Sequence, residues 1–222
     1  VKPFDLDELG ARVAAHLRRE QRRQCGGAVT VLKGTVKLLR RGSADEQMLE
    51  RMDVYTRRIE QYVEAMSSIQ RLEQMPVQCR PVALPQQGRE LEETARLLAP
   101  ALNLSCSFPQ EGQAELDHGL FLTVAENLVT NAARFARSGL ELTMETDGGF
   151  LTLTAADDGP GFPQELMQTG PKPFGKRDGG AAHFGMGLYS SQLLCRKHGG
   201  DLRLNNCPGA TVTASFKFQG KT

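Results

Sequence analysis

Long apolar runs are missing from this sequence. None of its 222 residues lies in a stretch approaching the roughly 20 apolar positions that span a bilayer. No secretory leader pattern is visible either. We therefore expect no membrane segment and a cytoplasmic location. An excess of one charge is also missing. Twenty-seven Lys and Arg against 26 Asp and Glu leave a net charge of +1. That removes the electrostatic case for nucleic acid or an anionic membrane as partner. The five cysteines, Cys25, Cys79, Cys106, Cys195 and Cys207, form no C-x-x-C pair. Odd in number and scattered, they read as reduced thiols rather than disulfides or a zinc site. The chain does not start with Met, and it is expected to be a piece of something longer. The hydrophobic fraction is 40%, enough in a chain of 222 residues for one or two domains with real cores.

The first part has helical periodicity. Cys25, Val29, Leu32, Val36 and Leu39 recur at spacings of 4, 3, 4 and 3. After the turn-like stretch Arg41-Gly42-Ser43-Ala44-Asp45, the residues Met52, Tyr55, Ile59, Tyr62, Met66 and Ile69 recur in the same manner. Two heptad seams joined by a short loop predict an antiparallel hairpin over residues 19–75. Two such hairpins would close into a four-helix bundle, so a homodimer is expected. The alternative is a packing face against the second domain.

Pro76, Pro81 and Pro85 then break the pattern and mark a linker or edge strand. Beyond them, residues 76–222 mix types. Helices are expected over Glu90 to Leu98, Leu120 to Phe135 and Leu188 to His198. Strands are expected over Leu102 to Phe108, Leu140 to Thr146, Phe150 to Ala155 and Thr211 to Phe218. The fold class is α+β, a helical hairpin followed by an α/β sandwich.

Three short motifs stand in order along this second part. Asn127 and Asn131 are four apart, on one helix face. An Asn carbonyl at Asn131 is a hard oxygen donor suited to Mg²⁺, and Arg134 on the same face can reach a phosphate. An ordinary amphipathic helix would look similar. Asp157 ends an alternating run, where its carboxylate can accept a hydrogen bond from the amine of adenine. Gly159 and Gly161 let backbone pass close by, although Asp157-Asp158-Gly159-Pro160-Gly161 would also suit a plain tight turn. Gly185 and Gly187 lead into a helix near Leu188, whose N-terminus offers free N–H groups to phosphates. Between Phe162 and Gly185 lies a basic, glycine-rich stretch with Lys172, Lys176 and Arg177, expected as a lid or as a solvated loop.

In this order the motifs resemble the N, G1 and G2 boxes of the sensor histidine kinase catalytic domain, within the superfamily that includes the ATPases of Hsp90, MutL and gyrase. Phe174 is similar to the F box, and Lys197-His198-Gly199-Gly200 to the family's helix exit into a strand. The hairpin resembles the dimerisation and histidine-phosphotransfer domain, with Arg71-Leu72-Glu73 at the end of its second helix. The resemblance implies ATP and Mg²⁺ as cofactors. Asn131 would ligate Mg²⁺ and Asp157 would read adenine. Gly159, Gly161, Gly185 and Gly187 would frame base and phosphates, supported by Asn127 and Arg134, with Phe174 and Leu188 in the same boxes.

The departure from the family lies in the first helix. Counting back from Ala28-Val-Thr-Val-Leu-Lys-Gly34 puts Arg23 at the phosphoacceptor His position and Gln24 at the adjacent acid position. A guanidinium stays protonated and is a poor nucleophile, and Gln24 cannot act as a base. The other histidines, His16, His118, His183 and His198, read as structural or surface residues, with His16 as the alternative acceptor. At the start, Val1-Lys2-Pro3-Phe4-Asp5-Leu6 and the helix after it resemble the end of a response-regulator receiver domain, covering residues 1–18. The expected protein is a receiver-regulated, histidine-kinase-like ATP-binding protein. Its partners would be a response regulator or a partner kinase, with autophosphorylation at the usual site lost. The alternatives are a non-catalytic adaptor and a kinase acting in trans.

Overall fold

The computed structural model describes residues 46–172, 186–207 and 209–218. They divide into two compact units that part between Ile69 and Gln70. The first helix of the expected hairpin, with Arg23 and Gln24, lies outside the described residues, as do His16, His183, Phe174 and Gly185.

In the first unit the described chain is helix α1 (Glu46–Gln74), 29 residues long, which continues into the second unit for its last turn. It contains neither Gly nor Pro, so nothing interrupts its propensity. Of the expected seam, Met66 is half-buried and Ile69 is buried. The side chains of Met52, Tyr55, Ile59 and Tyr62 are outside the description.

The second unit begins with the end of α1. Strand β1 (Arg80–Ala83) pairs antiparallel with β3 (Gln113–Leu116), Arg80 opposite Leu116 and Ala83 opposite Gln113. Helix α2 (Leu84–Leu98) starts six residues before the expected Glu90. Pro85, expected to break structure, stands in its first turn instead. There a missing N–H costs nothing and φ is already helical. Strand β2 (Asn103–Ser107) and helix α3 (His118–Phe135) follow. Next come β4 (Gly139–Asp147), β5 (Phe150–Asp157), the short α4 (Gln164–Thr169), α5 (Met186–Lys197), β6 (Leu202–Asn206) and β7 (Ala210–Lys217).

Five strands form one mixed sheet in the order β2-β4-β5-β7-β6, with β2 parallel to β4 and the other pairs antiparallel. Alternation separates its faces. Leu140, Leu142 and Met144 of β4 are buried, as are Leu151, Leu153 and Ala155 of β5 and Val212, Ala214 and Phe216 of β7. Between them Thr152, Thr154, Thr211 and Thr213 are only partly covered. The buried rows join Leu120, Phe121, Val124, Leu128 and Val129 of α3 and Leu194 and Cys195 of α5 in one core. Phe121 and Phe216 meet there with ring centroids 5.3 Å apart. The unit is thus a two-layer α/β sandwich. Among the described residues no helix is long and apolar enough to cross a membrane.

Candidate functional site

Helix α3 is set by its N-cap. Asp117 Oδ1 accepts the Leu120 N–H at 3.0 Å, and its Oδ2 accepts the Gln78 N–H at 2.7 Å. One carboxylate therefore starts the helix and ties down the chain leaving α1. With the apolar side of α3 fixed on the sheet, Asn127 and Asn131 stand half-buried at its margin, and Arg134 is exposed. Among the described residues, neither carboxamide makes a hydrogen bond. The Arg134 guanidinium lies over the Phe135 ring, 5.4 Å from its centroid.

Asp157 is the last residue of β5 and continues the row of Leu151, Leu153 and Ala155. A carboxylate thus faces the helix-covered side of the sheet, with 6% of the residue exposed. Its Oδ1 accepts the Gly159 N–H at 2.8 Å. Gly159 passes so close to the end of α3 that a Cβ there would collide with the Phe135 carbonyl oxygen. Gly161 has φ +79°, the left-handed region where glycine is at ease.

The second Asp of this turn has a different task. Asp158 accepts the Arg137 N–H at 2.8 Å, the Ser138 N–H at 3.0 Å and the Ser138 hydroxyl at 2.7 Å. Hydrogen bonds from Ser138, and then from the Gly139 and Arg137 amides, hold its carboxyl well below the usual carboxylate range. It fastens the turn after β5 to the loop after α3.

Helix α5 brings the third motif. A Cβ on Gly187 would stand 3.6 Å from Asn127 Oδ1, so the first and third motifs meet. Leu188 packs against the core. At the other end of α5, Lys197 donates from Nζ to the carbonyls of Leu72, Glu73 and Met75, closing the last turn of α1. His198 is buried, and its Nε2 accepts the Asp117 N–H at 3.1 Å, with Cys79 Sγ 3.5 Å away. His118 rests against Gln87 and Glu90, 3.0 Å and 3.4 Å from their side-chain oxygens.

The structure therefore brings Gly187 of α5 beside Asn127 of α3, with Asn131 one turn along α3 from Asn127. Through Gly159 it sets the turn at the end of β5, with Asp157 and Gly161, against the C-terminus of α3. The sequence reading missed Asp117, Asp158 and Asn206 as residues that hold these elements. Asp117, just ahead of an apolar periodic run, carries an N-cap signal, and the Asp157-Asp158 doublet points to the turn.

Comparison with known proteins decides the family of this region. Residues 117–220 match the family of histidine kinase-, DNA gyrase B-, and HSP90-like ATPases. They form a histidine kinase-like ATPase domain. The matched segment starts at the Asp117 cap and includes all three motifs. Over 188 residues the chain is 26% identical to the sensor histidine kinase CpxA of Escherichia coli, covering 81% of this chain and 41% of that protein. Over 112 residues it is 31% identical to the sensor protein CseC of Streptomyces coelicolor, covering 50% of this chain and 21% of that protein. The chain thus spans less than half the length of either relative. Among solved structures, full-length ShkA in complex with AMPPNP shares the fold at a TM-score of 0.61 and 19% identity, covering 96% of this chain and 46% of that one. The Acinetobacter baumannii histidine kinase AdeS aligns at a TM-score of 0.55 and 18% identity, covering 87% of this chain and 96% of that one.

Proposed function

We propose that this chain is the ATP·Mg²⁺-binding core of a two-component signalling protein. In this reading an upstream receiver regulates it, and Arg23 replaces the phosphoacceptor His. The observation that carries the nucleotide reading is Asp157. It is a carboxylate on the covered face of the sheet, with one oxygen pinned by Gly159, and on the neighbouring helix stand Asn127 and Asn131, whose carboxamides make no hydrogen bond among the described residues. A buried acid whose other oxygen accepts no hydrogen bond among the described residues suits a ligand that brings its own donor, as the adenine amine does. The carbonyl of Asn131 supplies a hard, neutral ligand for Mg²⁺, which keeps most of its waters and its bonds to phosphate oxygens. Asn127 and Arg134 support the phosphates, while Gly159, Gly161, Gly185 and Gly187 admit base and phosphates to close approach. Phe174 and Leu188 complete the boxes. Bound Mg²⁺ would neutralise phosphate charge at this edge of the domain.

The helical hairpin serves as the homodimer interface, and the partner is a response regulator or a partner kinase in the cytoplasm. Arg23 and Gln24 favour a second reading in which the pocket binds ATP without labelling its own chain. The protein then acts as an adaptor, or as a kinase in trans. Radiolabelled ATP tests both. The wild type alone should take up no acid-labile phosphate at the first helix, and Arg23→His should gain it. Label mapped to His16 in the wild type would overturn the assignment of Arg23. Labelling of an added partner separates a trans kinase from an adaptor.

A further inference from the structure

The turn that carries Asp157 is gripped from outside by the tip of the β6–β7 hairpin. Asn206, the last residue of β6, accepts the Phe162 N–H through Oδ1 at 2.7 Å and donates Nδ2 to the Phe162 carbonyl at 2.9 Å. Both bonds go to one residue's main chain, so the carboxamide acts as a short piece of neighbouring strand. Gly161 packs on the same group, where a Cβ would stand 2.9 Å from Asn206 Oδ1. Past the tip, Gly209 lies against the start of the turn, where a Cβ would collide with the Asp157 carbonyl oxygen and stand 3.0 Å from the Gly159 nitrogen. The hairpin therefore holds the turn at both ends, at Asp157 and at Phe162. The Phe162 side chain is buried in the core, which fixes the far end a second time.

We propose that Asn206 is a positioning residue that sets the base selectivity of Asp157. This rests on the reading of Asp157 as the adenine acceptor. Asn206 touches no base itself. It fixes the path of residues 157–162, and so the direction in which the Asp157 carboxylate points. Asn is suited to this task because its amide both accepts and donates, matching the N–H and C=O of one residue. Selectivity depends on it because an adenine offers a donor where a guanine offers an acceptor. A misdirected carboxylate loses the first without gaining the second.

The test compares a non-hydrolysable ATP analogue with the matching GTP analogue, by calorimetry on the full chain. Wild type should prefer the adenine nucleotide. Asn206→Ala should weaken its binding about 10-fold and leave the weak guanine binding unchanged, so that the ratio falls by the same factor. Asn206→Asp keeps the acceptor and loses the donor. It should move the ratio in the same direction and supplies the answer if the alanine variant does not fold. An unchanged ratio, or equal losses for both nucleotides, would overturn the positioning role. A wild type that binds neither nucleotide would instead sink the nucleotide reading, and the proposed selectivity role with it.

Discussion

Oδ1 of Asp157 accepts the amide of Gly159 at 2.8 Å, and this bond fixes the orientation of a carboxylate that faces the helix-covered side of the sheet. Asp157→Asn keeps the size and can keep the bond to Gly159. Its amino group would then meet the adenine amine donor to donor. Affinity for ATP should fall by ~10- to 100-fold, the worth of a hydrogen bond to a charged group. Thermal stability in the absence of nucleotide should change little by comparison. Paired titration and melting curves check this.

The role proposed for Asn131 is at the metal rather than at the base. Asn131→Ala should reduce the gain in nucleotide affinity that Mg²⁺ confers and leave metal-free binding near the wild-type value. The measurement is binding of the ATP analogue across a Mg²⁺ series. A full Mg²⁺ response in the variant would contradict the assignment.

Asp158 links stability to pH. The Ser138 bonds hold its carboxyl below the ordinary value of about 3.9, so its contribution is fully present above that value. It is lost as pH falls through the lower, folded value. Asp158→Asn should therefore melt earlier than wild type at neutral pH, and the gap should narrow below about pH 4. Melting temperatures across pH 3 to 7 give the comparison.

Two of the described thiols are shielded. Burial pushes the Cys195 thiol up to about 12, and burial with the nearby Glu92 pushes Cys106 up to about 11. Cys195 is fully buried, whereas Cys207 is exposed. In a thiol-reagent time course Cys207 should react before Cys106, and Cys195 only as the domain unfolds.

Lys197 closes the end of α1 through three carbonyls. Lys197→Met keeps much of the apolar stem and removes the donors. The loss should be about 1–3 kcal/mol, the range for a charged donor to main-chain acceptors. Faster limited proteolysis between Leu72 and Cys79 should accompany it.

Much of the second unit was legible in the sequence because its signals are local. The alternation of Phe150 to Ala155 marked β5, and the periodicity of Leu120 to Phe135 marked α3. Glycines after an acid marked the turn at Asp157. What was not legible depends on partners distant in the chain. Strand β3 is only four residues long and exists by pairing with β1. Helix α2 begins at Leu84 and takes Pro85 into its first turn, since Pro suits a first turn as well as a break. Asn206 looks like any polar residue at a strand end until Phe162, 44 positions earlier, is placed beside it. The hairpin seam and Arg23 rest on the sequence pattern, since the first helix lies outside the described residues.

In the proposed function Asn127, Asn131, Asp157 and the glycines around them form one site for ATP and Mg²⁺. Calorimetry of the wild-type chain with a non-hydrolysable ATP analogue, with and without Mg²⁺, tests it most directly. Saturable binding at one site per chain, tighter when Mg²⁺ is present, is the expected result. No heat of binding under either condition, from a protein shown to be folded, would contradict it.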